Sequence, residues 1–139
     1  MVFPNYLNRK SLYLCIGMLF LLSFEAYAFK ESHIKRLDKS GNCKSCKLNG
    51  ADLSGVIAFG ADLRRVNLSG ANMMGAYLHS ADLTKADLSA ANFTDAYLRG
   101  VNWQCLKLDR VVLNNANLVH ADLSGSDLSY GEACKANFD

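Results

Sequence analysis

GADLSGVIAFGADLRRVNLSGAN, residues 50–72, carries one short phrase as Ala51-Asp52-Leu53 and Ala61-Asp62-Leu63 and begins it again at Ala71-Asn72, which Met73 completes. A related unit, Val66-Asn67-Leu68, sits five residues from its neighbours, so the period is five. Call the middle residue of each unit i. The units then run in one register, without an insertion, from i at Cys43, Leu48 and Leu53 to i at Phe138, which makes twenty units. Leucine fills 13 of those positions and Met73, Phe93, Trp103 and Phe138 fill four more. The i−2 residue is Ala in 11 units and Val in four, i−1 is Asp or Asn in 13, and i+1 is often Ser or Thr.

A period of five matches neither the 3.6 of a helix nor the 2 of an ordinary strand. It suits an all-β solenoid in which the chain turns a corner every five residues, with i and i−2 pointing inward and three residues pointing out. Stacking requires the two inward side chains to share a fixed volume, hence one large and one small. Asp or Asn at i−1 and Ser or Thr at i+1 supply local hydrogen bonds at the corners. Glycine at i+2, as at Gly55 and Gly70, tolerates corner dihedrals that other residues resist.

Units such as Ala51-Asp52-Leu53-Ser54-Gly55 and Ala121-Asp122-Leu123-Ser124-Gly125 resemble the A(D/N)LXX pattern of pentapeptide repeat proteins, and the resemblance covers residues 41–139. It implies a right-handed quadrilateral β-helix with four units per coil, hence about five coils and a rod on the order of 25 Å long. The stretch before it, Ser32 to Cys46, is similar to secreted members in which a short helix and a Cys-x-x-Cys precede the first unit. Residues 29–40 are therefore expected to form an N-terminal capping helix, with Phe29, Ile34 and Leu37 as its apolar side, covering an edge that would otherwise invite pairing.

Residues 1–28 have a different character. Arg9 and Lys10 precede an apolar run from Leu12 to Phe24, and Ala26-Tyr27-Ala28 is an A-x-A cleavage site, so the segment reads as a secretory signal. The run is short for a bilayer span. Removal would leave a chain beginning at Phe29, periplasmic or secreted, with no stable membrane span.

With four units per coil, residues twenty apart stack. One face then carries Ile57, Phe59, Tyr77, His79, Tyr97, Arg99 and Val119, whereas the others carry mostly Asp, Asn, Ser, Lys and Arg. An exposed aromatic stripe marks a contact surface for a protein partner. The alternative is a ladder, Tyr77 over Tyr97, that serves stability alone. A second irregularity spans Val101 to Val112, where Trp103 points inward and Leu106 and Val111 replace small residues. A locally widened coil accommodates them; a ligand pocket beside Trp103 is the other reading.

Cys43 and Cys46 both point inward near the cap, as a candidate disulfide suited to an oxidising compartment. A thioredoxin-like redox role would need a helix N-terminus in a βαβ context that is missing here. Cys105 and Cys134 fall on different faces, so the cysteines do not converge on a metal. Cys134 and Phe138 lie in the last units, and because some members of the resembled family dimerise through their C-terminal coils, a homodimer through that end is expected.

No catalytic constellation stands out. The aspartates recur by repeat rule, and His33, His79 and His120 are dispersed, so neither an enzyme nor a cofactor is expected. Some family members imitate B-form DNA with a strongly acidic surface and protect type II topoisomerases. Residues 41–139 carry 9 Lys+Arg against 10 Asp+Glu, a near-balance that makes a poor DNA mimic, and a secretory signal would separate the chain from such an enzyme. No nucleic-acid partner is expected.

Overall fold

The computed structural model describes residues 32–37 and 40–139. Residues 1–28, expected from the sequence to be a secretory signal, therefore lie outside the described residues, as does Phe29 of the expected cap. From Asn42 onward the chain forms parallel β-bridges, and every one joins a residue to the residue twenty places later, as in Asn42 to Asp62, Ile57 to Tyr77 and Asn117 to Asn137. Four units thus make one turn. The bridges are carried by paired backbone bonds between successive turns: Leu88 N donates to Lys107 O at 3.0 Å, and Lys107 N donates to Ala86 O at 3.4 Å.

The core is a column along the axis. From Cys43 to Leu118 each i residue is at most 2% exposed, and the i−2 residues from Cys46 to Ala116 are buried beside them. No polar or charged side chain is buried among the described residues. Each fully enclosed leucine contributes roughly 1.5 to 3 kcal/mol.

The corners are built as the residue types require. All thirteen Asp and Asn residues at i−1 accept a hydrogen bond from the backbone N–H two residues on. Where Ser or Thr follows, its hydroxyl often donates to the same oxygen, as Ser89 does to Asp87 at 2.7 Å and Thr94 to Asn92 at 2.7 Å. From residue 45 to residue 135 the i+2 residue takes a positive φ in every unit, not only where glycine stands: Ala90 has φ 56°, Asp95 58° and His120 61°. That conformation costs a non-glycine residue about 1–2 kcal/mol. At Ala90 and Asp95 the same residue's N–H is bonded to the next coil, Ala90 N to Asp109 O at 2.8 Å and Asp95 N to Asn114 O at 2.9 Å, whereas His120 takes the conformation without that bond.

Residues 32–37 are helical, with Leu37 1% exposed and Ile34 packed against the core. The first coil presents carbonyls that no preceding coil can meet. Arg36 fills that role: its Nε donates to Asn42 O at 2.9 Å and its Nη2 to Lys44 O at 2.7 Å, while His33 Nδ1 accepts from Lys47 N at 3.0 Å. One guanidinium thus stands in for the missing strand, satisfying backbone groups that would otherwise be left without partners.

The Trp103 coil departs from the others at one corner. Elsewhere each i−2 N–H closes its corner on the preceding i carbonyl, as Val111 N does on Leu108 O at 3.0 Å. At Leu106 that bond is replaced. Ser126, one coil on, inserts its hydroxyl into the opened corner, donating to Trp103 O at 2.5 Å and accepting from Leu106 N at 3.0 Å. Trp103 itself is 0% exposed and meets Phe93 edge-on, with ring centroids 5.4 Å apart. The region is a repacked core, and the indole is sealed from solvent.

Candidate interaction face

The face that departs from the repeat chemistry does so at i−1. Ile57, Tyr77 and Tyr97 stand where Asp or Asn would cap a corner, so the N–H groups of Phe59, His79 and Arg99 have no side-chain oxygen to meet, whereas Asn117 still caps Val119 at 3.2 Å. Each such bond is worth about 0.5–1.5 kcal/mol. Three are forgone on one face, in three successive coils.

Aromatic contacts take their place. Tyr77 and Tyr97 stack with centroids 4.5 Å apart and planes within 6°, the spacing of adjacent coils. Phe59 meets Tyr77 at 6.1 Å and His79 at 5.5 Å, both edge-on, and His79 lies 6.1 Å from Tyr97 at 27°. The cluster remains open to solvent: Phe59 is 57% and Tyr97 42% exposed. Ile57, Tyr77, His79 and Val119 are half-buried, Arg99 is exposed, and His79 Nδ1 is shielded from water without a hydrogen-bond partner. The structure thus brings the seven residues singled out in the sequence onto one surface. It also shows the ladder, Tyr77 on Tyr97, that accounts for part of their packing.

The other candidates separate. Cys43 and Cys46 are joined by a disulfide, with S–S 2.09 Å, and both are buried beneath the capping segment, which leaves no exposed sulfur for exchange with another thiol. Cys105 and Cys134 are free and exposed. In the last coil Leu128 is 42%, Tyr130 86% and Phe138 49% exposed. No three His, Cys, Asp or Glu side chains converge among the described residues. Sequence reasoning missed the roles of Arg36, His33 and Ser126.

On the next face Arg64 pairs with Asp62 at 2.6 Å and reaches Asp82 at 3.8 Å. The side-chain hydrogen bond from Arg64 lowers the Asp62 carboxyl from 3.8 to about 2. A depressed carboxyl contributes stability that is fully present above its unfolded value and is lost as pH falls through its folded value. Because both side chains are partly in water, the contribution is at most about 1 kcal/mol. Asp62→Asn should therefore flatten the fall in thermal midpoint between pH of about 4 and about 2, and an unaltered acid profile would contradict the pairing.

The family model for pentapeptide repeats matches the chain in eight copies, over residues 42–73, 59–95 and 91–129. Among solved structures, a pentapeptide repeat protein from the Arabidopsis thaliana thylakoid lumen is similar at 31% identity with a TM-score of 0.54, over 68% of this chain and 66% of that one. This chain therefore spans slightly less than two thirds of that protein's length. A pentapeptide repeat protein from Nostoc is similar at 28% identity with a TM-score of 0.52, over 78% of this chain and 94% of its own. No curated protein matches. The twenty-residue register, the leucine column and the Asx-capped corners agree with these likenesses, and the chain belongs to the pentapeptide repeat family of right-handed quadrilateral β-helices.

Proposed function

We propose that this is an exported, non-enzymatic rod of about five coils, closed at its head by the 32–37 helix, that presents its aromatic face to a protein partner. The observation that carries the reading is the exchange at Ile57, Tyr77 and Tyr97, where corner-capping side chains give way to rings left partly in solvent. A fold that needed only stability would retain the caps, as thirteen of the twenty units do. Export rests on the segment 1–28, and a disulfide at Cys43–Cys46 suits an oxidising destination. The similar Arabidopsis protein is from the thylakoid lumen. The exposed Leu128 and Phe138 favour a homodimer through the C-terminal coil, with Cys134 beside the contact.

One preparation tests the reading. The native protein, taken from the exported fraction, should have the mass of a chain beginning at Phe29 and scatter light as a dimer at tens of micromolar. Immobilised, it should retain a partner that the double variant Tyr77→Ser, Tyr97→Ser loses at least tenfold, about 1.4 kcal/mol, while the variant's circular dichroism stays that of a β-helix. Equal retention by the double variant would overturn the interaction face. A full-length cytosolic chain would instead return the DNA-mimic alternative to consideration.

A further inference from the structure

The aromatic face ends in a step. Tyr77 and Tyr97 fill two successive rungs of one row, and the next rung holds Asn117, whose side chain is turned back to cap Val119 N at 3.2 Å. One side of the Tyr97 ring is taken by Tyr77 at 4.5 Å, the next rung holds the shorter Asn117, and Tyr97 is 42% exposed. Beside it, in the i+1 row, Arg99 is followed by Val119. The register thus places a partly exposed ring, a guanidinium in the same coil and Val119 one coil on in neighbouring positions of one face.

Charge on this face has one sign. Arg99 makes no ion pair or side-chain hydrogen bond among the described residues. In the two outward rows from Ile57 to Val119 there is no Asp or Glu, and the first carboxylate along them is Asp139, two coils beyond Arg99. Asp95, at the preceding corner, is already engaged by Asn115 Nδ2 at 3.0 Å. A guanidinium left unpaired beside an open ring face is complementary to a group that is both planar and flanked by negative charge.

We infer that the partner contributes a peptide segment with an aromatic side chain next to carboxylates, the ring stacking on Tyr97 above Val119 and a carboxylate pairing with Arg99. This rests on the reading of the face as a contact surface and names what that surface selects. Stacking supplies contact area at low entropic cost, and the charge pair selects against basic segments.

Three blocked peptides of equal length test it, each with a Gly-Ser frame around Glu-Trp-Glu, Lys-Trp-Lys or Glu-Leu-Glu, titrated into the protein while its resonances are followed by NMR. The Glu-Trp-Glu peptide should shift the Tyr97 ring, the Val119 methyls and Arg99 Nε–H, with binding at least tenfold weaker for the other two. Arg99→Gln should erase the preference for Glu over Lys while leaving the tryptophan requirement. Equal response to the Glu and Lys peptides, no response to any peptide, or shifts elsewhere on the rod would overturn the inference. So would movement of the same resonances on simple dilution, which would assign these positions to a second copy. If Arg99→Gln still retains the partner that the Tyr77, Tyr97 double variant loses, the face is a contact surface and only the acidic-aromatic preference fails. Retention by both variants removes the two together.

Discussion

Leu88→Asp is expected to leave the rod unfolded at neutral pH. Leu88 is 0% exposed in the axial column, midway along the repeats. The substitution forgoes roughly 1.5 to 3 kcal/mol of burial. It also places a carboxylate among side chains that offer it no partner, at an effective cost of several kcal/mol. The sum equals or exceeds the lower part of the roughly 5–15 kcal/mol that holds a domain together. Ala90→Asp is the matched control, since position 90 points outward at a positive-φ corner of the kind that Asp95 already occupies. Circular dichroism should show the β signal lost in the first variant and kept in the second. A folded Leu88→Asp protein would mean that the inward register is wrong.

The second large effect is expected at Trp103. Removing the indole with Trp103→Ala should lower stability by about 3–5 kcal/mol, read as a fall in the urea midpoint. The cavity cannot close by simple contraction, because the corner beside it is propped open by the Ser126 hydroxyl between Trp103 O and Leu106 N. For the same reason Trp103→Leu, although it restores the commonest residue at this position, should still be less stable than the parent. Leu106 and Ser126 are fitted to the coil that holds the indole, and a leucine there leaves a void. A Trp103→Leu protein as stable as the parent would show that the coil adapts freely.

Much of this architecture can be read from the chain because each structural role recurs at a fixed place. The leucine column, the small residues beside it and the Asx-capped corners follow from the volume and hydrogen-bonding capacity of residues at i, i−2 and i−1. The aromatic face needed one more quantity, the number of units per coil, which the period of five does not contain and the family resemblance supplied. What stayed hidden is what happens once only. Arg36 reaches backbone carbonyls six and eight residues on, and nothing periodic announces it. Ser126 is the one serine at an i−2 position, a visible exception, yet its purpose lies in a corner one coil away. Glycine at corners pointed to their strain but not to its extent, because Ala90 and Asp95 take the same positive φ as Gly100 and make the same bond to the next coil.

The guanidinium at the head of the rod also gives assembly a direction. A solenoid with two bare edges is a building block for filaments, since the tail of one copy can continue into the head of the next through the same backbone bonds, without closure. Here Arg36 already occupies the carbonyls of Asn42 and Lys44, and Leu37 lies over the column beneath them. An incoming tail would have to displace both. Head-to-tail continuation through those backbone bonds is thereby opposed at the head of the rod.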